Sequence, residues 1–205
     1  MTLAGFVAYA LALGIAAAVP GPGVVALVAR ALGAGFRHGM AFAGGLVLGD
    51  LTYLTAAVFG LSLVADMMGS LFVLVRYGGA AYLAWLAWRL WRAAGDPKRV
   101  AALTGERASR SFWAGLVVTL GNPKTIVFYM ALVPTLVDLR HVTMGDYLVL
   151  VALTTAVLAL VMTPYAALAA RARGFLQRPA ILARLNRSAA LFLAGAAMWT
   201  VVRRP

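Results

Sequence analysis

The chain has no cysteine, and only 6 of its 205 residues are acidic against 18 that are basic. Without cysteine there are no disulfides, no thiolate metal sites and no thiol relay. Its two histidines, His38 and His141, fall between apolar runs and lack neighbours at metal-ligand spacing, so neither a metal centre nor a cofactor is expected. No Gly-x-Ser-x-Gly occurs and no histidine lies inside an apolar run to activate a serine, so no catalytic residue is assigned and an intramembrane hydrolase lacks its parts. Charge is scarce, at 12% of residues, whereas 63% are apolar. With a mean hydropathy of +0.91, the chain carries more apolar material than one soluble core can bury. Those proportions point to an all-α membrane protein.

The apolar runs predict six transmembrane helices, at roughly Leu3 to Leu32, Gly39 to Ala65, Leu71 to Arg92, Ser111 to Val137, Tyr147 to Ala170 and Leu182 to Val202. Each reaches or exceeds the ~20 residues a span needs, and helices alone satisfy the backbone of such continuous runs in lipid. Barrel strands would alternate polar and apolar residues, which these runs do not. The first run follows a start, Met1 to Gly5, without a basic residue, and shows no clear cleavage site, so it reads as a retained span.

A net charge of +12 in a soluble chain would suggest nucleic acid, but here the basic residues lie between spans rather than on one face. Arg30, Arg37, Arg89, Arg92, Lys98, Arg99, Arg107, Arg110, Arg171, Arg173, Arg178, Arg184 and Arg187 fall on one side, and Arg140, Arg203 and Arg204 on the other. Basic loops stay cytoplasmic, so both termini are expected on the non-cytoplasmic side and no nucleic-acid partner is expected.

Residues 93–110 mix Gly, Pro, Ser, Thr and charge, and read as a cytoplasmic linker. They divide the chain into a first three-helix repeat, residues 1–92, and a second, residues 111–205. A duplicated unit with an odd number of spans lies inverted relative to its partner, as in many transporters that alternate access by rocking one repeat against the other. Each half opens with a helix broken by proline near the midplane: Pro20-Gly21-Pro22-Gly23 in helix 1 and Gly121-Asn122-Pro123-Lys124 in helix 4. Proline lacks an amide proton and clashes with the carbonyl four residues back, which would free the carbonyls of Ala16, Ala18 and Thr119. Asn122 before Pro123 reads as the N-cap of a new half-helix, with donors at Lys124 and Thr125, and Gly23 and Val24 could act likewise. One end of a broken helix offers amides and the other carbonyls, so paired breaks can hold both ends of a zwitterion such as an amino acid.

Two charges lie too deep to reach water: Asp50 in helix 2 and Lys124 in helix 4. A lasting ion pair, or a substrate seated between them, would offset the cost of burying them. In the second case Asp50 takes the substrate amine or a proton and Lys124 the carboxylate. Tyr53, Thr125 and Phe128 are candidate lining residues, although core packing explains the aromatic pair equally well. Gly45 and Gly49 form a small-residue face that would bring Asp50 toward helix 1. Asp146 is placed as the cap of helix 5. A channel, or a structural or assembly protein of the membrane, remains as an alternative to transport.

Pro20-Gly21-Pro22, Gly49-Asp50, Gly78-Gly79-Ala80-Ala81-Tyr82-Leu83 with Trp85, and Asn122-Pro123-Lys124 together resemble the LysE/RhtB family of amino-acid exporters. The resemblance covers essentially the whole chain, including Asn186 to Gly195. It implies an exporter of the bacterial inner membrane that expels amino acids or derivatives, driven by protons, with a homodimer as the expected assembly. Many members have Asn where this chain has Gly23, and an acid within helix 5 where this chain runs from Ala152 to Leu160 without one. The missing acid favours a neutral substrate such as homoserine or threonine over lysine.

Overall fold

A computed structural model of the protein describes residues 1–59, 107–138, 141–175 and 179–202, together with Tyr77, Ala81, Ala84, Trp85, Ala87, Trp88, Trp91 and Arg92. The regular elements among the described residues are all helices, with no strand among them. Most of the third predicted span, including Arg76 and the run Gly78 to Ala80, and nearly all of the linker lie outside the described residues.

The first span comes as two helices, α1 (Leu3–Ala18) and α2 (Pro22–Ala34), bent by 57°. Pro20 cannot donate to Ala16, so α1 stops, and Val19 before it is extended, at φ −70° and ψ 118°. Gly21 then caps α2, with Pro22 at its first position. Gly35, at φ 88°, is the single residue between α2 and α3 (Phe36–Phe59). Its left-handed backbone turns the chain at once, which a residue with a Cβ would resist.

The fourth span is broken in the same way. α4 (Ala108–Leu120) ends at Gly121, and Asn122 caps α5 (Pro123–Val127). A π-helical turn, Phe128–Leu132, leads into α6 (Val133–Leu136), and the bend at the break is 54°. α7 (Met144–Phe175) and α8 (Pro179–Val202) complete the described chain. Asp146 is not itself the N-cap of α7: Thr143 caps it, its Oγ1 accepting from the Asp146 amide at 3.2 Å, while the Asp146 carboxylate accepts from the Thr143 amide at 3.0 Å. This reciprocal pair is a capping box.

Two unbroken helices, Phe36–Phe59 and Met144–Ala172, are long and apolar enough to cross a bilayer, and the described number rises to as many as four where each bent pair counts as one span. α8 is 24 residues long but opens with Arg184, Asn186 and Arg187.

The closest packing joins α3 to α4. A Cβ at Gly45 would fall 1.9 Å from the Phe112 carbonyl oxygen, one at Gly115 2.1 Å from that of Phe42, and one at Gly49 2.6 Å from Thr119 Cβ. Glycine is thus required on both sides of a seam where two backbones touch. The small-residue face of the second span therefore meets the fourth span, not the first as its spacing had suggested. The α2–α3 hairpin is tight as well, since a Cβ at Gly39 would lie 2.9 Å from that of Ala31. Arg30 Nε donates to Ser111 Oγ at 2.8 Å, tying α2 to α4.

Candidate substrate site

Because α3 is held against α4 while the α2–α3 hairpin stays closed, the two breaks and Asp50 come together around one cavity. Gly21, Gly23, Asp50, Asn122, Lys124, Thr125 and Phe128 line it, with Thr119, Val24 and apolar side chains of α1, α3 and α7. The space open to the centre of a water-sized sphere is about 60 Å³. One water needs about 10–15 Å³ by that measure, so the cavity holds a few waters or a small polar group. Pro20, Pro22 and Pro123 do not line it; they shape the backbone that does. Tyr53 also stands outside the lining: its hydroxyl donates to the Leu120 carbonyl and its ring stacks on Tyr129 at 6.3 Å.

The breaks touch each other. A Cβ at Gly21 would lie 3.2 Å from Lys124 Cδ, and one at Gly23 3.7 Å from Asn122 Nδ2. The carbonyls released at the first break are held by side chains from other elements. Tyr165 on α7 donates to the Ala18 carbonyl at 2.8 Å, and Lys124 Nζ donates to the Val19 carbonyl. At the second break the Asn122 amide donates to Thr119 O at 3.0 Å, and Asn122 Oδ1 accepts from the Lys124 amide at 3.1 Å. The first break has no side-chain cap. Gly23 and Val24, in the first turn of α2, line the cavity, and the amides of that turn have no intrahelical acceptor.

Asp50 and Lys124, both half-buried, interact electrostatically but make no direct ion pair among the described residues. Lys124 spends its hydrogen bond on Val19 instead. A carboxylate and an ammonium thus share the walls of one cavity with a gap between them, which a zwitterion can bridge. Among the described residues no group of His, Asp or Glu could hold a metal ion.

Several groups around the site carry no signal in the sequence. Tyr9 and Tyr129 are fully buried, Tyr9 sharing a hydrogen bond of 2.6 Å with Thr154 on α7. Thr154 lies within the Ala152 to Leu160 run and is its buried polar group. Tyrosines inside apolar helices could have suggested these contacts, since a buried phenol needs a partner, but nothing in the spacing says which partner.

A family model described as LysE type translocator matches residues 14–203. An uncharacterized membrane protein of Synechocystis sp. is 34% identical over 187 residues, 91% of this chain and 88% of that protein. A homoserine/homoserine lactone efflux protein of Salmonella typhimurium is 30% identical over 188 residues, 92% of this chain and 91% of the other. A leucine efflux protein of Enterobacter sp. is 30% identical over 137 residues, 66% of this chain and 65% of its own. No solved structure matches.

Proposed function

The chain belongs to the LysE type translocator family, and on that premise we propose that it exports a neutral amino acid or a derivative of one, such as homoserine or threonine, in exchange for protons. Relatives named for homoserine, homoserine lactone and leucine efflux support a small amino-acid substrate in a multi-pass membrane protein. The absence of an acid between Ala152 and Leu160 supports a neutral side chain over lysine. The excess of Lys and Arg in alternate connections supports a bacterial inner-membrane protein of six spans, arranged as two inverted repeats, with both termini outside the cytoplasm.

The observation that carries the reading is the bridge from Lys124 to the Val19 carbonyl across the two breaks, facing Asp50 over the cavity. A substrate carboxylate that draws Lys124 Nζ to itself releases the Val19 carbonyl, which then accepts from the substrate's ammonium. The Gly23 and Val24 amides stand on the same wall to share the carboxylate. Asp50 takes the second position on the ammonium, or a proton when the site is empty. One lysine thereby alternates between closing the first break and binding the substrate, so occupancy and helix geometry are coupled.

Efflux of single labelled amino acids from proteoliposomes, with and without an imposed pH gradient, tests this. Saturable efflux of homoserine, threonine or leucine, accelerated by the gradient, is the expected result. Unitary ion currents without saturable exchange would establish a channel, and no movement of any amino acid under either condition would end the exporter reading.

A further inference from the structure

The transport scheme leaves one buried polar group unused. Tyr129 lies in the π-helical turn Phe128–Leu132, where the Val133 amide bonds back to the Phe128 carbonyl five residues earlier. Such turns recur at functional sites because the extra residue re-aims a side chain. The ring is fully buried, stacked on Tyr53 and edge-on to Phe128 at 5.1 Å, yet its hydroxyl has no hydrogen-bond partner among the described residues. Buried hydroxyls without a partner are costly and call for an explanation.

Two groups lie within electrostatic reach of that hydroxyl: the Asp50 carboxyl of α3 and the Tyr9 hydroxyl of α1, which is already bonded to Thr154. The other titratable groups acting on this cluster are Lys124 of α5 and Tyr53 of α3. We propose, resting on the exporter reading, that Tyr129 is a positioning residue for Asp50, donating to its carboxylate when ionised and accepting from its carboxyl when protonated. In the protonated state the Tyr129 hydrogen turns to the Tyr9 oxygen, and the Tyr9 hydrogen to Thr154. Each donor then has an acceptor, and the only proton gained is the one Asp50 takes from solution. The line of hydroxyls lets Asp50 alternate between charged and neutral forms in a dry wall, away from the side that meets the substrate.

Tyr129→Phe keeps the ring and removes only the donor. Two readings test it in the purified, reconstituted protein: the pH dependence of efflux, and titration of the Asp50 carboxyl band in infrared difference spectra, identified by its loss in Asp50→Asn. Losing a donor to the charged form strengthens proton binding, so both midpoints should move up by about one pH unit. Tyr9→Phe, one step further along, should move them in the same direction by less. An infrared titration of Tyr129→Phe that coincides with the parent protein overturns the proposal. Should that variant fail to insert, Tyr9→Phe decides on the same reading, an unmoved band again overturning it. If the parent protein moves no amino acid while the Tyr129→Phe band still shifts, the exporter reading fails and the assignment of Tyr129 to Asp50 stands.

Discussion

The break in the first span and the break in the fourth bend the chain by nearly the same angle, 57° and 54°, but they are closed in opposite ways. Around Asn122 the repair is largely local: its side chain caps the new helix, its amide takes the Thr119 carbonyl, and Tyr53 takes that of Leu120. Around Gly21 the repair comes from elsewhere, through Tyr165 and Lys124. A pair of similar kinks therefore contains one member closed mainly by its own residues and one whose closure depends on a charged side chain reaching over from the other break. On the proposed mechanism the second break serves as the platform and the first as the part a ligand can change.

Removing the charges should break that contrast most severely. Lys124→Met leaves the Val19 carbonyl unmatched and the site without its cation, and Asp50→Asn removes the opposing charge. Each should lower efflux roughly ten- to a hundredfold, since each removes a charged partner for one end of the substrate, and a hydrogen bond to a charged group is worth about 1.5–3 kcal/mol. Membrane insertion, followed by the yield of monodisperse protein, should persist. Unchanged efflux in either variant would remove that residue from the site.

Next comes the seam that holds the platform. Gly45→Ala and Gly115→Ala each place a methyl into a facing backbone and should cost about 1–3 kcal/mol or more, read as a lowered unfolding temperature. Gly44→Ala, whose added carbon would stand 3.5 Å from the Phe112 ring, should be nearly neutral. Equal losses at Gly44 and Gly45 would deny the seam.

The two closures can then be compared directly. Asn122→Ala should cost about 1 kcal/mol of stability through its lost cap. Gly21→Ala, whose added carbon would stand 3.2 Å from Lys124 Cδ, should instead raise the substrate concentration needed for half-maximal efflux a few-fold. Stability should change little there. If the two variants behave alike, the breaks are not specialised. Tyr165→Phe, which frees the Ala18 carbonyl, should cost an amount comparable to Asn122→Ala, about 0.5–1.5 kcal/mol, that of one hydrogen bond.

The breaks themselves were legible because proline dictates them: Pro20 forces α1 to end and Asn122-Pro123 announces a capped restart, whatever surrounds them. Asp50 and Lys124 stood out because charges at that depth demand a reason. Their relation was not legible. Lys124 turns to the Val19 carbonyl instead of Asp50, a choice that depends on how the two breaks meet in the fold, which no local pattern encodes. Gly45 and Gly49 announced a close approach but not its partner, since small residues describe one surface and say nothing of the surface that meets it. Tyr9, Tyr129 and Tyr165 carried no comparable sign, because a phenol's partner is chosen by tertiary packing.

A one-residue connection at Gly35 and the glycine contacts between α3 and α4 have a mechanical consequence. Together they weld α2, α3 and α4 into a chassis drawn from both halves of the chain, and sliding along that weld would drive carbonyl oxygens into neighbouring backbone. On the exporter reading the part left to act as a gate is α1, which ends at Val19 and is joined to α7 through Tyr165 and Thr154.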